Sequence, residues 1–202
     1  MGTCGHFRSC HDRLWDSLGS QSRFRIFFER ETMIQCYFGN GKGKTTASVG
    51  AAVRYAGSGK RVLYIQFLKN NNSSEFLALS QIEGITVLPN QAEYKLFDNL
   101  KKELVAFFRE AYTKLLSEGV EQCQKSYDML VLDEILDAVS FGYIAETLLI
   151  DLLKELKDTK EIILTGHILP DGIRQLSDYI SEVKAVKHPY YTGVLPRKGI
   201  EY

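Results

Sequence analysis

The residues best suited to chemistry lie in one glycine-rich octapeptide, residues 39–46. An apolar run that ends at Phe38 precedes it, and a run typical of a helix, residues 47–55, follows it. A strand, a glycine-rich turn ending in Gly-Lys-Thr, and a helix together predict a P-loop, in which backbone N–H groups and a helix N-terminus hold phosphate oxygens. We therefore expect the chain to bind a nucleoside polyphosphate. The expected nucleotide-binding residues are Gly39, Asn40, Gly41, Lys42, Gly43, Lys44, Thr45 and Thr46.

Two side chains of the octapeptide have specific roles in a P-loop. Lys44 brings a positive charge to the phosphates, and the Thr45 hydroxyl is a ligand for Mg²⁺. Asp133 and Glu134 come directly after a second apolar run, residues 129–132. Because ligands of parallel sheets bind beyond the carboxyl ends of the strands, these carboxylates are expected near the phosphates. The residues predict a Mg²⁺ site made by Thr45 and one of the two carboxylates.

One position departs from the full P-loop pattern. The pattern has glycine five residues before Gly43, and this chain has Phe38 there. A glycine-rich turn with an accidental Gly-Lys-Thr is the alternative, and an acidic pair after an apolar run is often only a solvated strand end. The presence of both motifs in this order favours a Mg-nucleotide site. These residues alone suit a kinase and an ATPase equally well.

Size and composition indicate an ordinary globular protein. The 202 residues are 45% hydrophobic and 25% charged, which fits one α/β domain. The formal net charge is zero, so charge gives no case for nucleic acid. No apolar run approaches the roughly 20 residues that span a bilayer, and we expect no membrane partner. The cysteines are scattered, and Cys36 and Cys123 are expected in a strand and in a helix-to-strand connection, as thiols in a reducing cytoplasm.

Residues 1–32 differ from the rest of the chain because they mix Cys, His, Arg, Ser and Trp without clear periodicity. We expect a leader that is flexible or lies outside the core, followed by one domain at residues 33–202. The spacing of the four cysteine and histidine residues in this leader matches no zinc pattern, so a metal cluster is not expected there. They are Cys4, His6, Cys10 and His11.

Strand and helix patterns alternate through the domain. Apolar runs predict strands at residues 33–38, 61–68, 82–88, 127–132, 161–165 and 181–187. Amphipathic spacing or caps predict helices after residue 46, from residue 75, and at residues 100–115, 148–156 and 173–179. Alternating strands and helices imply parallel pairs with right-handed crossovers. The predicted fold class is α/β, a three-layer P-loop NTPase-like (RecA-like) domain with a mainly parallel central sheet.

From Met33 to Tyr202 the chain resembles the P-loop corrinoid adenosyltransferases, which act on cob(I)yrinic acid a,c-diamide or cob(I)alamin. Each shared motif is weak alone, but six in the same order and spacing are specific. This family also lacks the usual first glycine of the P-loop, which accounts for Phe38. The motifs lie at residues 37–46 (YFGNGKGKTT), 66–69 (QFLK), 131–135 (VLDEI), 164–166 (LTG), 187–190 (KHPY) and 199–202 (GIEY).

The resemblance implies a reaction without a protein nucleophile. A Co(I) corrinoid attacks the 5′ carbon of ATP and expels triphosphate, in adenosylcobalamin synthesis or salvage. Catalytic roles fall to Lys44, Thr45 and Glu134, while Thr45 and Glu134 bind the cofactor Mg²⁺ with Asp133 nearby. The family also implies a cytoplasmic homodimer that receives electrons from a reduced flavoprotein.

The corrinoid side of the site is marked by fewer residues. Phe97 and Lys69 are the expected corrinoid contacts, with core packing and a solvated lysine as the respective alternatives. His167 stands where many relatives have arginine. Two other functions remain open: a P-loop ATPase or kinase that acts on the terminal phosphate, and a relative that binds nucleotide or corrinoid without turnover.

Overall fold

The computed structural model describes residues 32–90 and 101–201, so nearly all of the expected leader and Phe97 lie outside the described residues. Within the described part, strands are separated by helices along the chain, with two helices rather than one between the fourth and fifth strands. In chain order they are β1 (Ile34–Phe38), α1 (Lys44–Ala56), β2 (Val62–Gln66), α2 (Ser74–Leu79), β3 (Ile85–Leu88), α3 (Lys101–Ser126), β4 (Met129–Asp133), α4 (Ile135–Ser140), α5 (Glu146–Leu156), β5 (Glu161–Gly166), α6 (Asp171–Leu176), β6 (Tyr179–Glu182) and a 3₁₀ turn (Pro189–Thr192).

The strands of the described chain form one sheet in the order β3-β2-β4-β5-β1-β6, and every neighbouring pair is parallel. The register brings carboxyl ends level, because Phe38 pairs with Gly166 and Gln66 pairs with Asp133. The four central strands therefore end at one edge of the sheet. The loops that leave this edge are the place where a parallel sheet binds its ligands.

Side chains alternate along each strand and build a core on both faces of the sheet. In β2, Val62 and Tyr64 belong to the cluster that includes α1 and α2, whereas Leu63 and Ile65 belong to the cluster that includes α3, α4 and α5. Burial on both faces explains why the central strands are continuous apolar runs in the sequence. The expected three-layer α/β fold with a parallel central sheet is confirmed.

The last strand differs from its prediction. Tyr179 was expected to end a helix and residues 181–187 to form a strand, but the helix ends at Leu176 and β6 spans Tyr179–Glu182. All four residues of β6 are exposed, and the strand is held by parallel pairing with β1 at the edge of the sheet. Because β6 buries little, no apolar run marks its bounds.

The helix α3 is longer than its apolar face predicts. It continues to Ser126, so Cys123 is a buried helical residue rather than part of a connection. Val120 and Cys123 keep the helical spacing on the buried side among otherwise polar residues. None of the described helices, α3 included, has the length and apolarity that crossing a membrane requires.

Candidate functional site

The octapeptide links β1 directly to α1. Gly39 has φ +116° and Gly43 has φ +119°, which residues with a Cβ rarely adopt. A Cβ on Gly39 would also lie 2.5 Å from the carbonyl oxygen of Val183. Glycine therefore allows the chain to turn here and to pass close to the strap, the name we give to residues 183–185 after β6.

The strap is hydrogen-bonded to the P-loop. The Gly41 amide donates to the Val183 carbonyl at 2.8 Å, and Asn40 Oδ1 accepts from the Ala185 amide at 3.0 Å. The Gly41 amide is thus used within the protein. The first amides of α1, from Lys44 onward, lack intrahelical acceptors by virtue of their position, and they offer the donors that an anion needs.

Lys44 lies inside the site rather than on its surface. Its side chain is buried, and Nζ donates to the Gly41 carbonyl at 3.0 Å. An ammonium has three donors, and at this depth an anionic partner is favourable. The position suits a polyanion held between the loop and the start of α1.

Asp133, the last residue of β4, has no exposed surface and is hydrogen-bonded through both oxygens. Oδ1 accepts from Thr165 Oγ1 at 2.7 Å, and Oδ2 accepts from Thr45 Oγ1 at 3.3 Å. Gln66 Nε2 is a further donor to Oδ2 at 3.4 Å. The register of the sheet explains this meeting, because β2, β4 and β5 end side by side.

Lys69 joins this network from the loop after β2. Its Nζ lies 3.0 Å from Asp133 Oδ2, 2.9 Å from Glu75 Oε1 and 3.2 Å from Thr45 Oγ1. Burial disfavours the charged ammonium, but the two carboxylates outweigh it and raise the pKa of Lys69 above its ordinary value. Burial likewise opposes the charged Glu75, yet its bonds to Lys69 hold the pKa of Glu75 below its usual range.

Glu134 starts the turn into α4 with φ +62°, a strained value for a residue other than glycine. Its amide donates to Thr165 Oγ1 at 2.8 Å. Burial, a hydrogen bond with Asp137 and the nearby Asp133 raise the pKa of Glu134 to about 8. Its carboxylate lies in a cluster with Asp137 and His167, whose ligand atoms are all within 4.8 Å of one another.

Asp137 organises that cluster and is absent from the sequence-based site. Its Oδ2 lies 3.0 Å from His167 Nδ1, and both its oxygens accept from the His167 amide. Burial opposes its charge, but the hydrogen bonds from Glu134 and His167 outweigh it and lower the pKa of Asp137. The sequence signal that could identify Asp137 is its spacing from Glu134, because residues three apart on a helix lie on the same side.

These groups surround a cavity of about 850 Å³ at the carboxyl edge of the sheet. Six of the eight expected nucleotide-binding residues line it: Asn40, Gly41, Lys42, Gly43, Lys44 and Thr45. Lys69, Glu134 and His167 line it from the neighbouring loops, and Glu201 lines it from the end of the chain. Gly39 and Thr46 are not among its lining residues, and Asp133 lies buried behind it.

The donor set fits a magnesium ion. Mg²⁺ prefers carboxylate and hydroxyl oxygens, and the Thr45 hydroxyl and the Asp133 carboxylate already meet at hydrogen-bonding distance. A positive group, the Lys69 ammonium, lies against both oxygens. The arrangement is therefore one that accommodates a cation beside the P-loop.

The chain is similar to a family of known enzymes along most of its length. Residues 30–202 match the family described as ATP:corrinoid adenosyltransferase BtuR/CobO/CobP. A corrinoid adenosyltransferase of Escherichia coli K12 is 30% identical over 173 residues, which cover 84% of this chain and 85% of that protein. The corrinoid adenosyltransferase CobA of Salmonella typhimurium LT2 is 29% identical over 177 residues, with 86% and 87% covered. A corrinoid adenosyltransferase of Pseudomonas aeruginosa is 24% identical over 168 residues, with 81% and 80% covered. Its P-loop, its fold and these matches establish that the chain belongs to the ATP:corrinoid adenosyltransferase family of enzymes.

Proposed function

We propose that the protein transfers the 5′-deoxyadenosyl group of ATP to the Co(I) of a corrinoid and releases triphosphate. The observation that carries the proposal is the cavity of about 850 Å³, which the P-loop, Lys69 and Glu134 share. Phosphate donors and carboxylates converge there on one open space. Family membership supports the choice of adenosyl transfer over phosphoryl transfer.

The proposed step makes one bond and breaks one bond. The electron pair of Co(I) forms the cobalt–carbon bond at C5′ of ATP, and the C5′–oxygen bond breaks so that its electrons leave with triphosphate. Negative charge therefore grows on the leaving group. Lys44 and the first amides of α1 are positioned to stabilise that charge, which is the role of preorganised donors in a transition state.

We assign Mg²⁺ to Thr45, Asp133 and Glu134. The bound ion would neutralise charge on the triphosphate as a Lewis acid. Thr165 orients this side of the site through two bonds, one to Asp133 Oδ1 and one from the Glu134 amide. Glu134 lines the cavity, and its backbone has a positive φ at the turn into α4.

The two cysteines in the described part of the chain are poorly suited to act as the nucleophile of the reaction. Cys36 and Cys123 are both buried in the core, outside the lining of the cavity. Burial raises the pKa of each thiol to about 11, so neither is present as the reactive thiolate at neutral pH. This agrees with a reaction in which cobalt, rather than a protein thiol, attacks the nucleotide.

The corrinoid contacts remain predictions. Phe97 lies outside the described residues. The ammonium of Lys69 is bound by Thr45, Glu75 and Asp133, which favours a role at the metal site over a contact with the corrinoid.

The wider setting follows from the reactants. Co(I) has to be generated next to the enzyme, and we assign this to a reduced flavoprotein in the cytoplasm, where ATP and reductant are both available. The corrinoid is cobalamin or cobyrinate a,c-diamide, and the product enters adenosylcobalamin synthesis or salvage. We expect the working enzyme to be a homodimer, which light scattering measures directly.

Anaerobic incubation with MgATP and chemically reduced cob(I)alamin tests the reaction. The visible spectrum reports the cobalt–carbon bond, and chromatography identifies the phosphate released. Adenosylcobalamin with triphosphate is the expected result. ADP and phosphate without a corrinoid product would instead identify an ATPase, and binding of both substrates without a product would identify a non-catalytic relative.

A further inference from the structure

The Lys69 ammonium is surrounded by oxygens in the way that a bound cation is. Nζ lies within 3.2 Å of Glu75 Oε1, Asp133 Oδ2 and Thr45 Oγ1. In P-loop proteins the hydroxyl of the loop and the aspartate of the neighbouring strand are the protein groups that hold Mg²⁺. The lysine thus lies against the same two atoms that a magnesium ion would use.

The backbone before Lys69 is bent into this arrangement. Leu68 has φ +58°, and its amide donates to the hydroxyl of the buried Tyr112 on α3 at 3.1 Å. A non-glycine residue keeps such a conformation only where its surroundings impose it, and such residues concentrate at functional sites. The bend brings Lys69 back over the ends of β2 and β4.

The ammonium has a clear role while no metal is bound. Asp133 is fully buried, and a carboxylate at that depth needs a positive partner. Mg²⁺ would repel the ammonium and would need the same oxygens of Asp133 and Thr45. Both cations cannot hold those oxygens at once, so one must leave when the other arrives.

Glu75 gives the ammonium a place to remain. Its Oε1 is the nearest of the three oxygens to Lys69 Nζ, at 2.9 Å, and it also accepts from Gln66 Nε2 at 3.1 Å. The Glu75 carboxylate stands at the start of α2 and is partly exposed. A small rotation of the lysine side chain keeps this ion pair while it frees the other two oxygens.

We propose that Lys69 is the resident cation of the metal site: it holds Thr45 and Asp133 together before the substrates bind, and it yields both to Mg²⁺ while it keeps Glu75. This inference rests on the Mg²⁺ site of the proposed function. It implies that the nucleotide-free protein disfavours divalent ions, because the lysine already satisfies their ligands. The metal enters together with the triphosphate, whose negative charge compensates both cations.

Binding of Mn²⁺ alone, measured by electron paramagnetic resonance without nucleotide, tests the exchange. Lys69→Met is expected to bind one Mn²⁺ at least tenfold more tightly than the unaltered protein. The matched control is Lys42→Met, which removes a positive charge from the same cavity and is expected to change the affinity by less than threefold. Equal affinity of Lys69→Met and the unaltered protein overturns the inference, and so does an equal gain in both variants.

A second measurement uses the unaltered protein and therefore does not depend on whether Lys69→Met folds. The ¹⁵N NMR signal of the Lys69 ammonium is assigned by its loss in Lys69→Arg. This signal is expected to shift when Mg²⁺ is added to a complex of the protein with ATP that was prepared free of metal with a chelator. A signal that stays unchanged by Mg²⁺ contradicts the exchange.

Mn²⁺ binding in the presence of ATP separates this inference from the proposed function. If no Mn²⁺ binds even with ATP, the Mg²⁺ assignment fails, and the exchange fails with it. If Mn²⁺ binds with ATP but Lys69→Met does not alter binding of Mn²⁺ alone, only the exchange fails.

Discussion

At the scale of single residues, the site depends on buried charged groups, of which Asp133 is paired with the Lys69 ammonium. Lys44 is enclosed by the P-loop, while Asp133 is enclosed by Thr45, Thr165 and Lys69. Removing one member of such a pair leaves the other charged and desolvated, which is more costly than the loss of a surface ion pair. A single substitution of a buried charged group at this edge of the sheet is therefore expected to have a large effect.

Lys44→Ala is expected to lower the rate of adenosyl transfer by about a hundredfold or more, because it removes a donor that stabilises the departing triphosphate. The anaerobic spectrum of the corrinoid measures the rate. Lys60→Ala, at an exposed position before β2, is the matched control and is expected to retain the full rate. Near-normal transfer by Lys44→Ala would refute the assignment of the phosphate site.

The raised pKa of Glu134 leads us to expect that the stability of the metal-free protein depends on pH. Its pKa of about 8 in the folded chain lies above its ordinary value of 4.5, so the folded state holds this proton more tightly. The resulting stabilisation is complete below pH 4.5 and is lost as the pH rises through 8. Asp137, whose pKa is lowered, makes a contribution that stays constant over this window.

Urea unfolding at pH 5 and at pH 8 measures this effect. The free energy of unfolding is expected to fall by on the order of 1 kcal/mol or more because of Glu134, since each unit of pKa shift corresponds to about 1.4 kcal/mol. Glu134→Gln removes the titrating group and should flatten the profile. An identical slope in both proteins would argue against a protonated Glu134.

At the scale of elements, the parallel sheet brings together side chains that are far apart in sequence. Phe38 is level with Gly166, and Gln66 is level with Asp133, so the loops after four strands share one rim. The P-loop, which is one of these loops, is hydrogen-bonded to the strap. Gly39 and Gly41 are therefore required by the close approach of two backbones, in addition to the phosphate binding proposed for the loop.

Gly39→Ala is expected to destabilise the protein by about 1–3 kcal/mol, because its φ is positive and a Cβ would meet the Val183 carbonyl. Gly50 provides the opposite case, because it lies inside α1 with no atom within 4 Å of a Cβ. Gly50→Ala should stabilise the protein by about 0.5–1 kcal/mol. Urea unfolding compares the two variants, and a loss of stability of the same size in both would contradict the role of the strap.

How much of this the sequence could predict depends on how local each signal is. The P-loop and the two carboxylates at the end of β4 are contiguous motifs, and both lie where the sequence predicts them. The bond from Lys69 to Glu75 and the cluster around Asp137 join residues through the tertiary fold, and hydrophobic periodicity carries no information on such polar contacts. The edge strand β6 was misplaced because it pairs through its backbone and buries little.

At the scale of the whole molecule, the end of the chain forms part of the site. Residues 188 and 201 line the cavity together with the P-loop, and the 3₁₀ turn between them is exposed. Arg197 and Glu201 form an ion pair within this tail. The tail adds little to the core, and its expected contribution is to enclose the nucleotide.

A chain that ends at Lys187 is therefore expected to fold but to bind ATP at least several-fold more weakly. The β6 strand and the strap precede this end, so the sheet and the P-loop keep their partners. Calorimetry measures ATP binding, and thermal unfolding controls for the fold. Unchanged affinity would show that the tail does not contact the nucleotide.

The bond between Gly41 and Val183 also sets an order of events during synthesis. The phosphate loop is made early, but β1 lies between β5 and β6, and the partner of Gly41 follows β6. Contacts between such distant parts of a chain form late. A nascent chain on the ribosome is thus unable to complete its P-loop until residue 183 has emerged and can accept the hydrogen bond from Gly41.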